Sequence, residues 1–155
     1  KTIFSASTLI KILNDEICET TTRGMFVTMI VGVYDKNKNE LLLSNAGHEP
    51  PLIFSKEGNF KTIDEAGPPL GIAPKFKFTE QTISFKESSM YIFTDGITEM
   101  KNNNGEMLGQ EGFQDYIKKY QSTPNNKRLR KMIEDLISSG RIQKDDLTIV
   151  TVDGK

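Results

Sequence analysis

The sequence predicts an α+β domain with mainly antiparallel strands, and three observations carry that prediction. One helical pattern opens the chain, a pair of helical patterns stands near its end, and strand-like runs fill the space between. Two of those runs, Met25 to Tyr34 and Glu40 to Asn45, flank the polar turn Asp35-Lys36-Asn37-Lys38-Asn39, the pattern of a β-hairpin. A last run, Leu147 to Val152, follows the helix pair and must enter a sheet formed much earlier. Helices at both ends can cover sheet faces, giving a layered arrangement.

The elements follow in order. Ser5 to about Glu19 reads as a helix that Ser5 or Ser7 can cap, with Leu9, Leu13 and Ile17 recurring every four residues on one face. Gly24 breaks into the first strand of the hairpin. Pro50-Pro51 interrupts pairing before a short strand, Leu52 to Ser55; Gly58-Asn59 turns the chain, and Phe60 to Ile63 can pair back. Gly67-Pro68-Pro69-Leu70-Gly71 is a rigid loop, its prolines fixing φ and its glycines allowing unusual turns. Two strands are expected next, Lys77 to Phe85 and Ser89 to Thr94. Beyond the polar turn Lys101 to Gly105, one helix carries Phe113, Tyr116, Ile117 and Tyr120 on a stripe. The next carries Leu129, Met132, Ile133, Leu136 and Ile137, with Pro124 separating the two and Gly140 ending the second.

Composition narrows the function. At 155 residues the chain is expected to form a single domain, 1–155, long enough to bury a core. A net charge of −1 argues against a partner held by bulk electrostatics, so no nucleic acid and no anionic membrane is expected. Lys127, Arg128, Arg130 and Lys131 read as a solvated helix face. No segment approaches twenty apolar residues, so no membrane span is expected. The single Cys18 excludes an internal disulfide framework and fits a reducing compartment, hence a cytoplasmic setting. One cysteine and one histidine cannot supply the usual zinc ligands, so any metal would be held by oxygen. Lys1-Thr2-Ile3-Phe4 has no leader layout and no initiating Met, so the chain reads as part of a longer polypeptide, such as the cytoplasmic part of a sensor protein.

The chemistry concentrates in two acidic turns. Asp95 ends the apolar run Met90-Tyr91-Ile92-Phe93 and begins the turn Thr94-Asp95-Gly96-Ile97-Thr98-Glu99. Lys144-Asp145-Asp146 opens the last strand-like run. A carboxylate at a strand end has a rigid base and an open front, which suits magnesium or manganese. A site of that kind processes phosphate. Each residue also has a plainer reading. Asp95 could be a turn aspartate satisfying its own backbone, and Asp145 a polar residue before a strand. His48 reads better as an imidazole bonding its own loop than as an acid–base group, and Asn45 as a loop-shaping amide. Glu99 is read equally as a group behind the metal or as a solvated carboxylate. Gly96 is expected where the backbone after Asp95 takes a conformation that a side chain would hinder.

Five motifs in register carry a family resemblance: Gly24-Met25-Phe26-Val27-Thr28-Met29, Asn45-Ala46-Gly47-His48-Glu49-Pro50-Pro51, Gly67-Pro68-Pro69-Leu70-Gly71, Thr94-Asp95-Gly96-Ile97-Thr98-Glu99 and Asp145-Asp146-Leu147-Thr148. Together they resemble the metal-dependent serine/threonine phosphatases of the PPM class, in the SpoIIE/RsbU branch that controls sigma factors. The likeness runs from about Ser5 to Val152. It implies a β-sandwich flanked by helices, an α-β-β-α layering, with a two-metal Mn2+ or Mg2+ site at one edge. It implies hydrolysis of a phosphoserine or phosphothreonine ester on a protein, typically an anti-sigma-factor antagonist, by water activated between two metals. On the resemblance, Asp95 and Asp145 are the catalytic carboxylates on one metal, and Asp146 is a further metal-site residue that orients a water or the loop.

The family's first motif, a Gly-Asp-Val-x-Gly-His-Gly type turn with the bridging aspartate, has no counterpart here. The expectation is therefore a partial site within an N-terminally truncated phosphatase domain. An uncovered sheet edge would leave room for a homodimer. The resemblance also implies that the first helix, Ser5 to Glu19, belongs to a regulatory lever moved by a partner or an upstream sensor domain. The rival reading is a noncatalytic phosphatase-fold interaction module in a partner-switching pathway.

Overall fold

The computed structural model describes residues 5–21 and 24–154; Lys1 to Phe4, where the sequence shows no leader layout, lie outside the described residues. The chain forms two compact units, one from residues 1–50, 62–88 and 154–155, the other from residues 51–61 and 89–153.

The first unit holds α1 (Ala6–Thr20), β1 (Met29–Asp35), β2 (Glu40–Ala46) and β5 (Gln81–Ser84). Its three strands run antiparallel in the order β1-β2-β5, and the hairpin register pairs Met29 with Ala46 and Asp35 with Glu40. The expected hairpin is therefore present, but its first strand begins four residues later than Met25. Val27 instead makes a two-way backbone bridge with Leu70 (3.0 and 2.8 Å), which ties the 67–71 loop to the strand's approach. The expected strand Lys77 to Phe85 shortens to Gln81–Ser84, where pairing with Glu40 to Leu43 begins.

Helix α1 forms where expected, with the Ser5 hydroxyl accepting from the Thr8 amide at 3.1 Å. Its inward face differs from the expected stripe. Ala6, Ile10 and Asn14 are buried, Leu13 and Ile17 pack beside them, and Leu9 stays 42% exposed. The rotation follows from Asn14, whose amide donates to the Ala73 carbonyl (2.9 Å) and accepts from the Gly71 amide (3.1 Å). A buried amide with both ends satisfied is stable inside a core, and it draws its own face inward. Glu80 fixes the other end, accepting from the Ser5 hydroxyl and the Ser7 amide, each at 2.9 Å.

Those bonds, led by the Ser7 amide, hold the Glu80 carboxyl below its ordinary value of 4.5. A depressed carboxylate contributes stability above its unfolded value and loses it as pH falls through the lower folded value. Glu80→Gln should therefore lower the urea midpoint near neutral pH, and the gap from the parent chain should close in acid. A gap that persists unchanged down to pH 3 would remove charge from the account.

The second unit holds β3 (Leu52–Ser55), all but the last residue of β4 (Phe60–Thr62), all but the first of β6 (Ser88–Phe93), the short α2 (Asp95–Thr98), α3 (Gly109–Lys119), α4 (Asn125–Ser138) and β7 (Ile149–Asp153). The strand order β4-β3-β6-β7 brings the last strand beside β6, antiparallel, with Phe93 opposite Ile149. The non-local closure expected from the sequence is thus made between β6 and β7. Both late helices form, and Phe113, Ile117, Met132 and Leu136 join Leu52, Tyr91 and Phe93 in one core. Arg128 corrects the expected solvated cluster: it is buried, on the same α4 face as Met132 and Leu136.

Candidate functional site

Strand β6 is anchored by its buried residues Met90, Tyr91 and Phe93, and it delivers Thr94 to the sheet end. There Thr94 continues the pairing through both its backbone and its side chain. Its amide donates to the Thr148 carbonyl (3.2 Å), its hydroxyl donates to the Asp146 carbonyl (3.0 Å), and that hydroxyl accepts from the Thr148 amide (3.1 Å). One hydroxyl therefore joins the two acidic turns. Thr94 is also the N-cap of α2, yet its side chain makes no capping bond, because it is engaged across the chain. The segment read as a plain turn, residues 94–99, is in fact a single helical turn, with the Asp95 carbonyl accepting from the Glu99 amide (2.8 Å) and the Thr98 hydroxyl (3.2 Å).

The second turn is shaped from within. Asp145 accepts the Asp146 amide on Oδ1 (2.7 Å), and its carbonyl accepts from the Gln143 side-chain amide (2.9 Å). Gly96 explains how closely the two turns approach. A Cβ built there would overlap the Asp146 carbonyl oxygen and stand 3.2 Å from its carbon and 3.3 Å from the Asp145 carbonyl oxygen. Its φ is not in the left-handed region, so the expected conformational reason is replaced by a spatial one.

Asp95, Asp145 and Asp146 are thus brought to one end of the β6–β7 pair, although fifty residues separate the first two in sequence. All three are exposed. Their donors are all oxygen, which suits a hard divalent cation and not zinc. Among the described residues, however, no three His, Cys, Asp or Glu side chains converge to hold an ion by themselves. One Asp145 oxygen already holds the Asp146 amide. The three carboxylates therefore do not by themselves make a complete ion site.

The remaining candidates sort by their partners. The His48 ring stands 3.1 Å from the Glu49 carbonyl through Nδ1, while buried Asn45 accepts the His48 amide (3.0 Å) and donates to its carbonyl (2.9 Å). Both fit the loop-shaping reading. Glu99 is exposed and closes α2 as its C-cap. Thr94 and Gln143 are the site residues that reasoning from sequence missed. Thr94 lies inside a quoted motif, but the partner of its hydroxyl is more than fifty residues away.

The family model for stage II sporulation protein E matches residues 2–155. The chain belongs to the SpoIIE family. Among proteins similar to this SpoIIE-family chain, protein IcfG of Synechocystis sp. is 30% identical over 156 residues, covering 98% of this chain and 24% of that protein. Phosphoserine phosphatase RsbU of Bacillus subtilis is 26% identical over 149 residues, covering 94% of this chain and 44% of RsbU. The crystal structure of the RsbU and RsbW domains of Rv1364c from Mycobacterium tuberculosis superposes with a TM-score of 0.80 at 20% identity, over 98% of this chain and 42% of that one. The SpoIIE-family chain therefore has the phosphatase-type α+β fold expected from its sequence, and it spans less than half the length of each of these relatives. Among its described residues no helix is long and apolar enough to cross a membrane.

Proposed function

We propose that residues 1–155 belong to the phosphatase domain of a protein serine/threonine phosphatase. It hydrolyses a phosphoserine or phosphothreonine ester on a regulatory protein of the anti-sigma-factor-antagonist kind, in the cytoplasm and under an upstream sensor or regulatory domain. The observation that carries this reading is the junction at Thr94, which holds two acidic turns together at an open sheet end. Exposed carboxylates at this sheet end would repel a phosphate dianion. A divalent cation held there would relieve that repulsion.

Asp95 and Asp145 are the residues assigned to hold Mn2+ or Mg2+, with Asp146 shaping the loop and orienting water. Such a cation, when bound, supplies a nucleophilic water near neutral pH and offsets phosphoryl charge. Thr94 and Gln143 fix the two turns that present these carboxylates. The similarity to RsbU, a phosphoserine phosphatase, supports the reaction class.

The test is hydrolysis of p-nitrophenyl phosphate and of a phosphoserine peptide by the 155-residue chain, with Mn2+ or Mg2+ and with chelator. Metal-dependent turnover would show a working site within this chain. Asp95→Asn should lose at least the roughly 10–100-fold that outer-shell partners of a metal cost when removed. Turnover that survives both chelation and Asp95→Asn would overturn the assignment. A folded chain that binds a phosphoprotein without turnover would favour the alternative, a noncatalytic interaction module.

A further inference from the structure

A cavity of about 520 Å³ lies in the second unit beside the acidic junction. Ile97 of α2, Ile133, Leu136 and Ile137 of α4, and Leu147 and Ile149 of the last strand segment form its apolar walls. The rest of its lining is Gln143, Asp146 and Thr148. Each of these three also builds the junction: Gln143 holds the Asp145 carbonyl, Asp146 accepts from Thr94, and Thr148 donates to it. The cavity and the candidate site therefore share a wall.

The lining selects its occupant. It contains no Lys, Arg or His and has one carboxylate, so it repels a phosphoryl group and offers it no counter-charge. Six aliphatic side chains from three elements favour an apolar group, and Ile137 is left 59% exposed without one. The volume lies within the range of ordinary ligand pockets.

We propose that this cavity receives an aliphatic side chain of the polypeptide that bears the phosphoester, close in sequence to the phosphorylated residue. The inference rests on the phosphatase reading above and adds a specificity element to it. A leucine or isoleucine seated here would place the neighbouring ester toward Asp95 and Asp145, while an acidic residue would meet Asp146 in an apolar wall.

The test uses the 155-residue chain and two phosphoserine peptides that differ only in carrying leucine or aspartate at the flanking positions. Affinity is measured by titration, and the site is located from backbone amide shifts. The leucine peptide should bind about tenfold tighter, a difference typical of one apolar group. Its shifts should centre on Ile137, Leu147 and Thr148. Ile137→Glu should abolish the difference between the peptides, with the fold checked by its melting curve. Equal affinities, or shifts centred elsewhere, would overturn the proposal. So would an unphosphorylated leucine peptide that binds as tightly, which would indicate simple strand or apolar docking. Concentration-dependent shifts at these residues without peptide would assign the cavity to a second copy and overturn it too. Metal-dependent turnover of p-nitrophenyl phosphate, which has no side chain to seat, reports on the phosphatase reading separately. Turnover without a leucine preference removes the cavity's role alone, and leucine preference without turnover keeps the cavity's role and favours the noncatalytic module.

Discussion

Replacing Arg128 with alanine is expected to lower stability by about 3 kcal/mol, the lower end of the range for breaking a buried ion pair from one side. The Arg128 side chain is 7% exposed and donates from Nη2 to Asp153 at 2.5 Å and to Asn125 at 2.8 Å. Its Nη1 reaches the Ser89 hydroxyl at 3.3 Å, and the guanidinium carbon stands 6.0 Å from the Tyr91 ring centroid. Without it, Asp153 keeps only the Ser89 hydroxyl among these partners, at 2.5 Å. Partial solvent access to Asp153, 25% by side chain, sets the lower end of the range. The Tyr91 hydroxyl is buried without a hydrogen-bond partner among the described residues, and burial raises its pKa against the opposing Arg128 charge.

The loss should appear as a fall of about 6–12 °C in melting temperature for a domain of this size. Arg128→Lys should recover only part of it, because a single ammonium cannot reproduce the planar fork. Combining Arg128→Met with Asp153→Asn should cost less than the two single changes summed. Midpoints within a degree of the parent chain would show that the clasp contributes nothing.

Gly96→Ala is the second large effect, expected at about 2–3 kcal/mol as overpacking against a fixed neighbour. The obstructing atom is the Asp146 backbone carbonyl, which cannot rotate away as a side chain could. Moving it also disturbs the Thr94 hydroxyl that it accepts from, so the two acidic turns separate. The variant should therefore melt lower and, on the proposed phosphatase reading, lose metal-dependent turnover with it. Glu99→Ala, at the exposed end of the same helix, should stay within about 0.5 kcal/mol of the parent chain. Similar melting curves for both variants would mean that the junction tolerates separation.

What could be read from the sequence follows the range of the interactions. The hairpin, β3, β6 and both late helices are legible because hydrophobic period and turn residues act locally. Asp95 and Asp145 stand out in the sequence as acidic turns beside apolar runs, and the motifs around them carry the family. The inward face of α1 is not, since Asn14 is buried through bonds to Gly71 and Ala73 nearly sixty residues on. Arg128 misleads for the same reason: beside Lys127, Arg130 and Lys131 it looks solvated, and only the positions of Ser89 and Asp153 make its burial stable. The spatial need for Gly96 and the linking role of Thr94 depend on the 145–148 segment, so neither can be inferred from the local turn.

The pairing of β6 with β7 also sets a clock. A chain made from its N-terminus at about 5–20 residues per second presents Asp95 several seconds before Asp145 exists. Until β7 docks, Thr94 has neither the Asp146 carbonyl nor the Thr148 amide to engage, and the acidic end of the sheet is unassembled. On the phosphatase reading proposed above, a nascent chain would meet phosphoproteins with this end of the sheet still unbuilt, and the junction closes only when the final strand docks.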